Sequence, residues 1–397
     1  MDFEAVQIAV GTDSILELVF FFLMLTYLPF GLYQVYLMFV NILTPDSRYM
    51  KGMKPLEKPN NIIVVVTTNG MATDVVEKII KKIKSYSMGI RVFVIKEYRD
   101  TFEYDCDQIV VPKDYKCPNS SRNKMRAMQY GIEVLHSMGY GKETYICHLD
   151  DDSVVDEPYL EFVANYMSCE GGQGCIRLRA FGRHLFSSLC DVIRISNCEA
   201  WCKHCNKKNK PQFVHGEGIV IRADVEYKIG WDYGTYGAED LIMGLKICET
   251  GVFCHIPMGN IYIAPPTTVR DYYKQRRRWF WSVVKNDGIV RHLSPKTFAF
   301  YMYMYFVGFT GLISMMIFPI LVISNEALSS YVILVGIINL LCFYSYYQFG
   351  AARLGSVRYC FILFILQIPV AIFDGLTVIY ALLFKPDFST FETIKKV

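Results

Sequence analysis

Three consecutive carboxylates, Asp150, Asp151 and Asp152, end the apolar run Tyr145-Ile-Cys-His-Leu149. Side by side they repel one another unless a cation sits among them. Hard divalent ions such as Mg²⁺ or Mn²⁺ favour such oxygen ligands, often shared with a substrate's phosphates. A solvated acidic turn is the plainer reading of the same three residues. A second acidic pair, Glu239-Asp240, opens a segment of helical period. Acids there serve as ordinary first-turn residues or as a carboxylate poised for general-base work. Glu217 stands between Gly216 and Gly218, small neighbours that suit close approach to a ligand or a tight turn. The stretch Gln275-Arg276-Arg277-Arg278-Trp279-Phe280-Trp281 sets guanidinium forks, which suit diphosphates, beside indoles, which suit the apolar face of a sugar. It also reads as an interfacial amphipathic helix. Cys198, Cys202 and Cys205 have a spacing used by some iron–sulfur enzymes, and His204 extends it to a zinc reading. Structural thiols account for it equally well in a chain with 13 cysteines.

These groups need elements to position them. Residues 62–68, 90–95 and 109–111 are short β-branched or apolar runs, and 145–149 is another that stops on the acids. Between them, residues 72–86 and 123–138 have helical spacing, with Lys78, Lys81, Lys82 and Lys84 on a solvated face. Strands alternating with helices predict a parallel α/β sheet of the nucleotide-binding type. Its C-terminal strand edge, where ligands bind, then carries Asp150 to Asp152. No glycine-rich phosphate loop and no GxGxxG follows the first strand, which argues against a P-loop or dinucleotide fold. Residues 171–213 give no clear pattern.

Mean hydropathy is +0.23 with 52% hydrophobic residues, too apolar for an ordinary soluble chain of 397 residues. Residues 15–43 form an uncharged run apart from Glu17, about 43 Å long as a helix and enough to cross a bilayer of about 30 Å. Pro29 and Gly31 could kink it. Its flank is acidic (Asp2, Glu4, Asp13), so a retained helix is favoured over a cleaved signal. Arg48, Lys51, Lys54 and Lys58 follow it, which puts the middle of the chain in the cytosol by the positive-inside rule. Residues 297–324, 329–350 and 357–384 are three further spans, with Asp374 at membrane depth. The loop at Asn325 and Glu326 lacks basic residues, whereas the next carries Arg353 and Arg358. Lys395 and Lys396 fit an external C-terminus poorly, so a re-entrant last segment broken near Pro369 is an alternative. The scattered, odd-numbered cysteines point to a reducing compartment rather than a disulfide scaffold. The expected domains are a membrane helix at 1–47, a cytosolic domain at 48–269, interfacial helices at 270–296 and membrane helices at 297–397.

Taken in order, the strand at 62–68, Glu97, Lys124-Met-Arg-Ala-Met128, Asp150–Asp152, Glu239-Asp240 and Gln275-Arg-Arg-Arg-Trp279 resemble a family 2 glycosyltransferase between membrane helices. Within that family, Val111-Pro-Lys-Asp-Tyr115, Gly172-Gln-Gly-Cys-Ile176 and the stretch 190–194 are similar to the egghead-type β-1,4-mannosyltransferases. Those enzymes move mannose from GDP-mannose to glucosylceramide. Lys96-Glu97 departs from the family's double Asp, and the Asp triplet from the Asp-Ala-Asp of polysaccharide synthases.

The resemblance implies an A-type glycosyltransferase domain and an inverting, metal-dependent hexosyltransferase. Thr67, Glu97, Lys124, Asp150, Asp151, Arg276 and Arg278 would hold the donor. Asp152 and Asp150 would bind Mn²⁺ or Mg²⁺. Asp240, with Glu239, would be catalytic. Trp279, Gln275 and Glu217 would meet the acceptor. The implied partners are a nucleotide sugar, with GDP-mannose favoured, a lipid or glycolipid acceptor and the membrane, and no nucleic acid. The implied place is an integral multi-pass protein of the endoplasmic reticulum or Golgi in a eukaryote, or of the plasma membrane otherwise. Competing readings are a processive polysaccharide synthase using a UDP-sugar, an iron–sulfur or zinc membrane protein built on the cysteines, and an inactive scaffold.

Overall fold

The computed structural model describes residues 15–179, 184–285, 287–324 and 328–388. Asp2, Glu4, Asp13, Asn325, Glu326, Lys395 and Lys396, used above to orient the chain, lie outside the described residues. The order begins with helix α1 (Ile15–Leu43), which runs unbroken through Pro29, and a short α2 (Asp46–Met50). Then come β1 (Asn61–Thr68), α3 (Thr73–Lys84), β2 (Arg91–Glu97), β3 (Asp107–Val111), α4 (Asn123–Ser137) and β4 (Thr144–Asp150). The two-residue β5 (Val154–Val155), α5 (Glu157–Tyr166), β6 (Gly171–Gln173) and β7 (Ile176–Leu178) follow.

The stretch with no clear pattern resolves into β6, β7, helix α6 (Leu185–Asn197), a π-helical turn (Cys198–Cys202) and α7 (Lys203–Asn206). Mixed apolar and charged residues on α6 hid its period. Next come β8 (Ile219–Arg222), α8 (Ala223–Ile229), α9 (Glu239–Thr250), β9 (Phe253–His255), β10 (Ile261–Ile263) and α10 (Val269–Val284). The chain continues with α11 (Asp287–Leu293), α12 (Pro295–Ser324), α13 (Ser330–Ala351) and α14 (Val357–Leu383). Helix α14 continues through Pro369, so the break considered there does not occur.

The main sheet has seven strands in the order β3-β2-β1-β4-β8-β6-β9. The first four are parallel, β8 runs antiparallel to both neighbours, and β9 is parallel to β6. A three-stranded sheet, β5-β10-β7, lies beside it. This is the expected α/β architecture. Residues 62–66 of β1 are buried on both faces because separate apolar clusters cover the sheet: Val64 and Val66 face one, Ile63 and Val65 the other. That explains a continuous β-branched run in place of an alternating one. Helix α3 adds Val76, Ile79, Ile80 and Ile83 to the first cluster, each burial contributing roughly 1.5–3 kcal/mol. Cys169 and Cys254 are bonded beside the β6–β9 pair, a single bridge rather than a scaffold.

Among the described residues, four helices are long and apolar enough to cross a membrane: residues 17–43 of α1, 295–323 of α12, 330–354 around α13, and α14. Their outer faces expose apolar side chains such as Phe39, Ile323, Val357 and Leu383. Helix α13 packs on both α1 and α6. Gly350 makes the α6 contact possible, because a Cβ there would meet Ser196 Oγ at 2.3 Å and the Val192 carbonyl at 2.9 Å.

Candidate active site

Strand β1 pairs with β2 on one side and with β4 on the other, so the order in which strands are added reverses between β1 and β4. Ligands of open α/β sheets settle in that crevice, outside the strands' C-terminal ends. Thr67 and Asp150 are register partners at this point, and Glu97 ends β2 next door. The Ser153 hydroxyl accepts from the Asp150 amide at 2.9 Å and fixes the turn that carries Asp151 and Asp152. Asp152 is buried, with Arg179 near enough to interact electrostatically.

Lys124, in the first turn of α4, draws the acids together. Its Nζ lies 2.6 Å from Asp150 Oδ1, 3.8 Å from Glu239 Oε1 and 4.0 Å from Asp240 Oδ1. Burial alone would lower its pKa; Asp150, Asp240 and Glu239 outweigh that and hold it well above the usual lysine value. Two residues on, Arg126 Nη1 donates to Glu97 at 2.7 and 2.5 Å and so fixes that carboxylate.

Glu239 and Asp240 begin α9 behind Ala238, whose φ of 58° turns the chain sharply into the helix. A fifth of the Asp240 side chain is exposed, yet its Oδ1 is buried and accepts no hydrogen bond. Burial pushes its carboxyl well above the ordinary range; Lys124 opposes this, and Glu239, Asp150 and Glu217 add to it. The strap 213–218 lies directly over these groups. Gly216 permits this, since a Cβ there would meet Asp240 Oδ2 at 2.6 Å and Lys124 Nζ at 2.8 Å. The Gln173 amide clamps the strap, donating to the His215 carbonyl at 2.7 Å and accepting from the His215 amide at 3.1 Å.

Helix α10 closes the other side. Thr268 caps it by accepting from the Asp271 amide at 3.1 Å. Arg276 stacks against Tyr272 and Trp279, 4.4 and 4.6 Å from their ring centres. Its guanidinium reaches Asp191 at 2.9 Å and Asp374 at 3.6 Å. Arg194 lies 4.9 Å from the Trp279 ring centre and 3.1 Å from Glu217. Gln275 is buried and Tyr272 bonds to Asp374.

One cavity of about 1530 Å³ joins all of this. It is lined by Thr67, Glu97, Lys124, Asp150, Asp151, Asp152, Glu217, Glu239, Asp240, Gln275, Arg276, Arg278 and Trp279, the full set expected from the sequence. It continues between the apolar helices past Tyr27 and Phe30 of α1, Val307 and Leu312 of α12, Tyr347 of α13 and Gly375 of α14. Asp191 and Arg194 were missed as site residues. Their signal was a pair of charges three residues apart inside the otherwise apolar face of α6. The cysteine spacing is met in part. Cys198 and Cys202 come together with His215, whereas Cys205 turns to Gln212 and His204 lies among Lys207 and Lys208.

Residues 145–372 match the family described as glycosyl transferase family group 2. The chain belongs to that family. It is 26% identical to the β-1,4-mannosyltransferase egh of Drosophila melanogaster over 255 residues, 60% of this chain and 55% of the relative. It is also 26% identical to the β-1,4-mannosyltransferase bre-3 of Caenorhabditis elegans over 188 residues, 45% of this chain and 40% of that one. The chain thus spans about half the length of the curated relatives it matches. Among solved structures, the mannosyltransferase PcManGT from Pyrobaculum calidifontis, in complex with GDP-Man and Mn²⁺, superposes with a TM-score of 0.46 at 14% identity, covering 89% of this chain and 97% of that one. S. aureus TarS with UDP-GlcNAc gives 0.33 at 8%, covering 80% and 89%. As a group 2 glycosyltransferase, the chain carries its acids on the strand edge of a mixed, mostly parallel sheet flanked by apolar helices.

Proposed function

We propose that this glycosyltransferase moves one hexose, mannose from GDP-mannose, onto a membrane glycolipid such as glucosylceramide, forming a β-1,4 linkage with inversion. The observation that carries the reading is the single cavity that runs from the acidic cluster into the apolar helices. A nucleotide sugar needs the first half of it, and a headgroup still tethered by a lipid tail needs the second. The curated relatives, both β-1,4-mannosyltransferases, favour this donor and linkage.

In this reading Thr67 and Glu97, the latter held by Arg126, receive the nucleoside. Asp150, Asp151 and Lys124 hold the ribose, sugar and phosphate. The donor set at Asp150 and Asp152, carboxylate oxygens only, fits Mn²⁺ or Mg²⁺ and not a soft metal. Bound there, the ion would neutralise charge on the diphosphate. Arg276 and Arg278 supply further positive charge as the diphosphate leaves. The acceptor hydroxyl attacks the anomeric carbon from the opposite face and gives its proton to Asp240, with Glu239 beside it. Trp279, Gln275 and Glu217 border the acceptor sugar. The segments 1–47 and 297–397 embed the chain in the membrane and 270–296 lies at its surface. The domain 48–269 works on the cytosolic side, at the endoplasmic reticulum or Golgi of a eukaryotic cell and otherwise at the plasma membrane.

The test is nucleotide release by detergent-purified protein with Mn²⁺ or Mg²⁺, using GDP-mannose, UDP-glucose and UDP-N-acetylglucosamine, each with and without glucosylceramide. Release from GDP-mannose that rises with the glycolipid supports the reading. Release only from a UDP-sugar, with a growing polymer, replaces it with a processive synthase.

A further inference from the structure

Around His215 of the strap lies a second group of ligating side chains that the transfer reaction does not use. The thiols of Cys198 and Cys202 and the imidazole of His215 bring one ligand atom each within 4.8 Å of one another. Cys202 Sγ lies 3.4 Å from His215 Nε2. The Cys175 thiol is a hydrogen-bond neighbour of Cys198. All three cysteines are buried. A tetrahedral zinc, with bonds of about 2.3 Å to sulfur and 2.0–2.1 Å to nitrogen, separates neighbouring donors by about 3.5–3.8 Å. The cluster is therefore close to the size of one such ion. A cluster of several irons would hold its cysteines further apart.

The donors arrive from three separate pieces of chain. Cys175 sits in the turn between β6 and β7, Cys198 and Cys202 form the two ends of the π-helical turn, and His215 lies in the strap over Asp240. Among the described residues that π turn is the one interruption of its kind, and such turns recur at functional sites.

We infer that Cys198, Cys202 and His215 form a structural zinc site, with the Cys175 thiol beside Cys198 available as a fourth donor, distinct from the divalent-ion site at Asp150 and Asp152. Thiolate and imidazole donors select zinc, whereas carboxylates suit Mg²⁺ and Mn²⁺. On binding, each cysteine gives up its thiol proton to solvent and the imidazole binds neutral through Nε2. The ion ties the β6–β7 turn, the end of α6 and the strap together, and so fixes Gly216 and Glu217 against Lys124 and Asp240. The inference does not depend on which sugar is transferred.

Metal analysis of full-length protein, purified in detergent from zinc-supplemented cells without chelator, tests it. About one zinc per chain is expected in the wild type and in Cys205→Ser, and a loss of most of it in Cys202→Ser and Cys198→Ser. EDTA treatment that removes added Mn²⁺ should leave the zinc in place. Because a Cys202 variant that fails to fold would also lose metal, the wild-type protein is loaded with cobalt(II) as a second measurement. The ligand-field absorption of tetrahedral, thiolate-bound cobalt, displaced by zinc, supports the site. Wild-type protein with neither zinc nor that cobalt signal overturns it. So does iron in place of zinc, full zinc in Cys202→Ser, or loss of zinc in Cys205→Ser.

Discussion

Asp240 is the residue on which the proposed chemistry turns. Replacing it by Asn keeps its shape and removes its basicity, so transfer should fall by roughly 10²–10⁴-fold while GDP-mannose still binds. Turnover together with calorimetric titration of the donor checks both halves. Near-wild-type turnover would mean that another group takes the proton. Burial raises its pKa against Lys124's opposing pull, and Glu239, Asp150 and Glu217 raise it further. The base is therefore inactive at low pH and becomes competent as pH rises. The rate should climb along an acid limb lying above the range of ordinary carboxylates, measured as kcat against pH. Asp152→Asn should remove activity and its dependence on added metal together; full activity of the wild type in excess EDTA would contradict the metal role. At this scale the sequence was legible where the acids ended a strand or began a helix. It was not legible for Arg194 and Asp191, whose role arises only when α6 is laid against α10, or for His215, which is remote in sequence from the cysteines it joins.

At the scale of elements, β1 to β4 and their helices could be read from the chain because parallel strands buried on both faces give unbroken apolar runs. The long apolar helices could be read because twenty or more consecutive apolar residues leave few other patterns. Residues 171–213 could not. The strands there have three residues each, too few for a period to show, and α6 is buried with its charges paired internally. The junction between α6 and α13 is equally invisible in sequence, since it depends on what Gly350 does not carry. Gly350→Val should drive α13 away from the α6 backbone and destabilise the protein by about 1–3 kcal/mol. Thermal unfolding in detergent measures this, and an unchanged midpoint would show that the two helices part freely. Helix α14 is joined to α10 through Asp374, which meets both Tyr272 and Arg276, so an apolar helix and the arginine-rich helix share one polar seam.

For the molecule as a whole, the cavity that spans acids and apolar helices is the basis of the proposed lipid acceptor. A glucoside with a long acyl tail should be used at least about tenfold better, by kcat/KM, than the same sugar on a short soluble group, a difference of roughly 1.4 kcal/mol. Equal use of the two would place the tail outside the cavity. With the proposed glycolipid as acceptor, the site would also draw it from a film two molecules thick rather than from a volume. Its substrate is then counted per area of bilayer. Diluting the glycolipid with inert lipid, at constant total amount in the tube, would slow the enzyme. Crowding it into patches would speed the enzyme, with no change in the protein at all.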